Sequence, residues 1–245
     1  MKFIDQVIVG VGTIGLGLYL WSLGPIPQPL EYHQFADAQT LLGVPNALNV
    51  LSNLAFLAAG LWGLAIVGDL RRVVPEYRQE TPFELMVLTT LFGGVALVSL
   101  GSGWYHLNPS NDSLMWDRLP MAIAFTSLFI LVVWERWNQA GARRLFVPVV
   151  LLGVASVLYW HWGEQNGTGD LRPYVFVQAY PLLLIPYLLL RGKARYSRGA
   201  DLLIALVFYL VAKVFEMADA TIFDLGELVS GHTLKHLSAA LGCVW

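Results

Sequence analysis

Two of the five histidines lie four residues apart near the C-terminal end of the chain, in the stretch GHTLKH from Gly231 to His236. Four residues is about one turn of an α-helix, so the imidazoles of His232 and His236 would point to the same side. The residues that follow, LSAALGCVW, are almost entirely apolar. Paired imidazoles in an apolar segment are typical either of a hydrogen-bonded packing pair or of metal ligands, and the spacing alone leaves both open.

A second set of polar residues occurs in GSGWYHLNPSNDSLMWDRLPM, residues 101–121. Ser102 precedes His106 by four residues, so a helix would place both on one face. Asp117 follows His106 by eleven residues, beyond an Asn-Pro turn. Three neutral imidazoles with an open fourth position form a known catalytic zinc arrangement, in which the metal lowers the pKa of its bound water to about 7 and polarises a carbonyl.

The surrounding residues favour metal-assisted hydrolysis over two other chemistries. In the soluble motif H-E-x-x-H the Glu after the first His is the general base, but here that position is Thr233. The base must then come from elsewhere, and we predict Asp117, with Ser102 orienting the water or donating to a developing oxyanion. An intramembrane serine protease would place its Ser in G-x-S-G, where this chain has Leu100 in place of the first Gly. One haem cannot be held by His232 and His236, since they share a helical face.

Composition indicates what kind of element positions these residues. The chain has 245 residues, of which 56% are hydrophobic and 13% charged, and its mean hydropathy is +0.59. Soluble domains carry roughly 25% charged residues. The single cysteine, Cys243, excludes an internal disulfide and a cysteine-based metal site, and the net charge of -2 does not indicate a nucleic-acid partner. We predict an all-α polytopic membrane protein.

Eight segments are apolar enough to span a membrane, which requires about 20 residues each. They cover residues 6–24, 47–67, 85–107, 114–134, 145–162, 173–190, 201–219 and 227–245. We interpret residues 47–245 as a seven-helix membrane domain and residues 1–46 as an additional N-terminal transmembrane helix with an external loop. A retained helix is favoured over a cleaved signal peptide, because no small-residue cleavage site follows it.

The basic residues orient these spans. Eleven of the fifteen Lys and Arg fall on one side: Lys2, Arg71, Arg72, Arg78, Arg136, Arg143, Arg144, Arg191, Lys193, Arg195 and Arg198. By the positive-inside rule this side is cytoplasmic and holds both termini. The candidate site residues then lie towards the outer leaflet. Ionisable side chains in spans are costly and mark functional sites by default.

A further polar group, Lys213, Glu216 and Asp219, falls in the seventh span. Its spacing favours salt bridges that stabilise the bundle. A proton-coupled transporter would also use such residues, but the sequence shows no inverted repeat or paired Gly/Pro-broken spans.

Three blocks of this sequence resemble, in order, the signature blocks of the alkaline ceramidases, which belong to a superfamily of seven-helix membrane hydrolases that includes the adiponectin receptors. The blocks are NVLSNLAFLAAG at 49–60, GSGWYHLNPSNDSLMWDRLPM at 101–121 and GHTLKHLSAALG at 231–242. The resemblance implies that His106, His232 and His236 hold Zn²⁺, that Asp117 activates the water and that Ser102 assists. The implied reaction is hydrolysis of the ceramide amide to a sphingoid base and a fatty acid.

The sequence departs from this family at several positions. Arg118 stands where family members have Glu. The family's eukaryotic enzymes also carry an N-terminal calcium site, and here Asn46 occupies the position of its last Glu, which leaves Glu31, Asp37 and Asn46 as candidate ligands of a second cation. Candidate residues for substrate binding or for supporting the ligands are His161, Arg118, Lys213 and Glu216.

The sequence thus predicts a zinc-dependent lipid amidase in a bacterial inner membrane. Its partner would be a membrane lipid substrate, and no protein partner is evident. The alternative is a non-enzymatic receptor or transporter that contains a metal.

Overall fold

The computed structural model describes residues 3–73 and 81–245. No β-strand occurs in these two ranges, so the predicted all-α class is confirmed. The helices are α1 (Phe3–Ser22), α2 (Ala47–Leu51), α3 (Leu54–Val73), α4 (Pro82–Leu107), α5 (Asn111–Arg136), α6 (Gln139–Gln165), α7 (Arg172–Arg191), α8 (Asp201–Met217), α9 (Asp219–Phe223) and α10 (Gly231–Val244). A 3₁₀ turn (Leu30–His33) lies between α1 and α2.

Within the described residues, six helices are long and apolar enough to cross a membrane: α1, the combined stretch of α2 and α3, then α4, α5, α6 and α7. The protein is therefore a multi-pass membrane protein, as predicted. The last two predicted spans, 201–219 and 227–245, correspond to the shorter helices α8 and α10, of 17 and 14 residues. At about 1.5 Å per residue these extend about 26 and 21 Å, less than the roughly 30 Å hydrocarbon core.

The basic residues Lys2 and Arg78, used above to orient the spans, lie outside the described residues. Four of the other nine residues of that set lie in the last turn of a helix. Arg71 and Arg72 end α3, Arg136 ends α5 and Arg191 ends α7.

The described residues form two compact units. The first unit contains residues 3–28, 81–91 and 122–200, and the second contains residues 29–73, 92–121 and 201–245. The predicted division into 1–46 and 47–245 stays a prediction. The second unit contains the C-terminal part of α4, the N-terminal part of α5 and all of α8 and α10. These segments carry the predicted site residues Ser102, His106, Asp117, His232 and His236.

Close contact between α4 and α5 depends on Gly101. A Cβ atom at this position would overlap the backbone carbonyl of Trp116 on α5. Small residues let transmembrane helices approach closely. Here the approach brings the residue after Gly101, Ser102, beside the residue after Trp116, Asp117.

Candidate metal centre

Three buried histidines from two helices meet in the second unit. His106 comes from the last turn of α4, and His232 and His236 come from the first two turns of α10. One ring nitrogen from each lies within 4.8 Å of the others, and the ring centroids are 4.8 to 4.9 Å apart. Their exposed fractions are 1%, 6% and 3%. In the part of the chain that the structure describes, this is the one group of three or more His, Cys, Asp or Glu side chains that can hold a metal ion.

The proton on His236 is positioned by Asn49 in α2 and by Ser52, which follows the end of that helix. The Ser52 hydroxyl donates to the carbonyl oxygen of Asn49 at 3.1 Å and lies 2.8 Å from Nδ1 of His236. A hydroxyl has one proton, so Ser52 accepts from Nδ1–H, and this leaves the lone pair of the imidazole on Nε2. Metal-binding histidines usually donate their second ring nitrogen in this way, which fixes the tautomer.

His232 is held through the beginning of α10. Its backbone N–H donates to Asp219 at 2.6 Å, and Ser230 caps the helix by accepting from the N–H of Thr233 at 3.3 Å. The Thr233 hydroxyl donates in turn to the side chain of Asn49 at 2.9 Å. Because the first N–H groups of a helix have no partner within it, these bonds determine where α10 begins and therefore where His232 lies.

His106 has a buried ring nitrogen with an unused bonding capacity. Nδ1 of His106 has no hydrogen-bond partner among the described residues. Its backbone carbonyl, by contrast, accepts from the side-chain N–H of Asn46 at 2.8 Å. A buried polar atom without a partner is costly, and coordination of a cation would satisfy it.

The predicted pair of Ser102 and Asp117 is brought together. Ser102 is buried one turn before His106, and its hydroxyl hydrogen-bonds the carboxylate of Asp117. Asp117 is also buried, and it interacts electrostatically with Lys235. Arg118 lies next to it with its guanidinium carbon 5.8 Å from the centre of the Tyr32 ring.

A lysine that the sequence interpretation did not select reaches the histidines. Nζ of Lys235 lies 3.2 Å from Nε2 of His232 and donates to Glu216 at 2.9 Å. Glu216 also accepts from Lys213 at 2.6 Å. An ammonium group can only donate, so Nε2 of His232 accepts. The signal for this contact was present in the sequence, because Lys235 lies three residues after His232 on the same helix.

Lys213 and Glu216 form salt bridges, as their spacing predicted, whereas Asp219 makes a different kind of contact. Lys213 and Glu216 form a salt bridge, and Glu216 bridges to α10 through Lys235. Asp219 instead accepts backbone N–H groups, from His232 and from Ala36 at 3.0 Å. These contacts give Asp219 a structural role, because they join the loop after the 3₁₀ turn, residues 34–46, to α10.

The same loop places an aromatic ring against the histidines, which the sequence interpretation also missed. The ring of Phe35 lies 4.6 Å from His106 and 4.9 Å from His232, measured between centroids. Tyr105 packs edge-on against Phe35 at 5.7 Å. These rings give the histidines an apolar cover.

The three candidate ligands of a second cation, Glu31, Asp37 and Asn46, differ from one another in burial and in hydrogen bonding. Glu31 is exposed in the 3₁₀ turn, whereas Asp37 is fully buried. One oxygen of Asp37 accepts from the N–H of Gln39 at 3.0 Å, and the other has no hydrogen-bond partner among the described residues. Asn46 directs its side-chain N–H to His106, as described above. Calcium binding by Glu31, Asp37 and Asn46 stays a candidate that the sequence raised but did not favour.

His161 belongs to the first unit and is not one of the three grouped histidines. Its Nε2 lies 3.1 Å from the side-chain nitrogen of Gln165, one turn later on α6.

No protein-family model, curated protein or solved structure matches this chain.

Proposed function

We propose that the three histidines hold Zn²⁺ and that the protein hydrolyses the amide bond of a ceramide-like membrane lipid, giving a sphingoid base and a fatty acid. The observation that carries this proposal is the group of three buried imidazoles in the same unit as the Ser102–Asp117 pair. The resemblance of the three sequence blocks to alkaline ceramidases supports the substrate class.

The donor set suits zinc. Three imidazoles leave a fourth position for water or substrate, as in catalytic zinc sites. Two features of the site match such a ligand set, namely the tautomer of His236 imposed by Ser52 and the partnerless Nδ1 of His106. When bound, the zinc ion would polarise the amide carbonyl and lower the pKa of a water molecule.

The protein's own groups would then move the proton. Asp117 would take a proton from the attacking water as the oxygen bonds to the carbonyl carbon. It would return that proton to the nitrogen as the C–N bond breaks, so the products are a free amine and a carboxylic acid. Ser102 would hold the Asp117 carboxylate in place. The ammonium of Lys235 would stabilise negative charge on the carbonyl oxygen.

The substrate would enter from the membrane. The face of α8 carries exposed apolar side chains, among them Val207, Leu210 and Val214, which are suited to contact lipid chains. We further propose that the protein lies in a bacterial inner membrane with both termini in the cytoplasm and the site towards the outer leaflet. The support for this orientation is the bias of the basic residues.

Replacement of the proposed base tests the reaction. Asp117→Asn should keep zinc but lower hydrolysis of a fluorescent ceramide in proteoliposomes by roughly 10²–10⁴-fold, the contribution of general base catalysis. Asp112→Asn is the matched control, because Asp112 is an exposed carboxylate on the same helix. An Asp117→Asn protein that contains zinc and turns over like wild type would refute the assignment.

A second function is favoured by one contact. The ammonium of Lys235 already donates to His232, so the histidines have a cationic partner without a metal. The protein would then be a membrane receptor or transporter, with the metal, if any, in a structural role. In that case wild type would hydrolyse no lipid amide, and wild type and Asp117→Asn would be equally inactive.

A further inference from the structure

A basic cavity lies in the first unit. Its volume is about 570 Å³. It is lined by the end of α5 and the residue after it, the first residue of α6, the end of α7, the residues after α7 and one residue of α1. Four of the lining side chains are basic: Arg136, Arg191, Lys193 and Arg195.

The two carboxylates in the lining are each bound to an arginine. Asp5 accepts from Arg191 at 3.0 Å and from the Tyr187 hydroxyl at 2.8 Å. Glu135 forms a salt bridge with Arg136 at 3.0 Å. The lining thus contains four basic side chains and two carboxylates, and the side chains of Lys193 and Arg195 are exposed.

The segment that carries these two residues packs against Arg136. A Cβ atom at Gly199 would overlap the guanidinium of Arg136, so the chain passes close to it. Trp134 and Trp137 also line the cavity, and Arg143 lies 4.9 Å above the ring of Trp134. The basic side chains are thus held around a concave surface.

The positions of Arg136 and Arg191 along their helices indicate the depth of the cavity in the membrane. Arg136 and Arg191 are the last residues of two candidate membrane spans. Basic and aromatic residues at the ends of spans lie where lipid headgroups are found, and basic pockets between such helices bind anionic headgroups. Arginine also binds phosphate oxygens in a bidentate manner.

We propose that this cavity binds the phosphodiester of an anionic membrane lipid such as phosphatidylglycerol. The inference is independent of the metal site, since it concerns other residues in the other unit. The recognised chemistry is a phosphate anion, and its source is the headgroup of a lipid in the same bilayer.

Native mass spectrometry of the full chain in detergent tests this proposal. We expect wild type to retain phosphatidylglycerol in preference to phosphatidylcholine, and millimolar inorganic phosphate not to displace it. Each basic residue near an anionic surface contributes about 1 kcal/mol, so Lys193→Gln/Arg195→Gln should weaken retention roughly 30-fold. Arg71→Gln/Arg72→Gln removes two charges that do not line the cavity, and it should retain the lipid as wild type does.

Three results would overturn the proposal: equal retention of the two lipids, displacement by inorganic phosphate, or equal weakening in the two double variants. The first two are measured on wild type alone, so they decide the matter even if a variant fails to fold. Lys193→Gln alone provides a milder change, for which a several-fold weakening is expected.

Discussion

The contact at Gly101 yields a prediction about the geometry of the proposed active site. In Gly101→Ala the new methyl group would overlap the backbone carbonyl of Trp116. A backbone carbonyl on a helix cannot rotate away as a side chain can. Helices α4 and α5 must therefore separate, and with them Ser102 and Asp117.

Gly103, two residues after Gly101 on α4, supplies the control for this variant. A Cβ atom at Gly103 would meet nothing within 4 Å. Replacing either glycine by alanine changes helix propensity by the same amount, so that contribution cancels in a comparison of the two variants. The remaining difference is the cost of overpacking, about 1–3 kcal/mol. We therefore expect Gly101→Ala to unfold several degrees below Gly103→Ala.

Thermal unfolding in detergent, followed by circular dichroism, measures the difference in stability. Zinc content and ceramide hydrolysis are then measured on the folded fraction of both variants. We expect Gly101→Ala to lose hydrolysis to a greater extent than it loses zinc, because the Ser102–Asp117 pair spans the disturbed contact. If the two variants unfold at the same temperature and hydrolyse at the same rate, the close approach of the helices at Gly101 is wrong.

The other predictions concern single contacts. Ser52→Ala removes the acceptor for Nδ1 of His236, so zinc affinity should fall about 10- to 100-fold in a chelator competition, while Ser52→Thr should preserve it. Lys235→Met should retain zinc but lower the hydrolysis rate by roughly 10²-fold, and a rate equal to wild type would exclude Lys235 from the reaction. The Arg172 side chain hydrogen-bonds Asp170 and lowers the pKa of that carboxyl below its ordinary value. The stability that Asp170 contributes is therefore present at neutral pH and lost as pH falls below about 4, so the difference in melting temperature between wild type and Asp170→Asn should shrink there.

The parts of the site that the sequence predicted are local in the chain. His232 and His236 share a face, as do Ser102 and His106, because four residues make about one helical turn. The meeting of Ser102 with Asp117 was anticipated from membrane depth, and the structure adds its cause, the small residue Gly101.

The contact of Lys235 with His232 was missed although its spacing of three residues indicates it. The other missed contacts join distant segments, because Lys235 has its salt-bridge partner Glu216 on another helix and Phe35 reaches the histidines from a loop. No helical or strand periodicity relates such residues, so their meeting could not be read from spacing.

The ends of the last two predicted spans differ from those of α8 and α10 by up to four residues, for another reason. Hydropathy marks apolar runs but not hydrogen-bonded helix ends. Helix α8 ends at Met217, and α10 begins only at Gly231, where Ser230 caps it and Asp219 accepts the N–H of His232.

The metal content of the purified protein tests the central claim most directly. It is measured by inductively coupled plasma mass spectrometry on wild type and on His232→Ala/His236→Ala, both purified in detergent without chelators, with helicity recorded to confirm folding. We predict about one zinc per chain in wild type and none in the folded double variant. Wild type without a stoichiometric metal, or a double variant that keeps its zinc, would contradict the assignment of these histidines as a metal site.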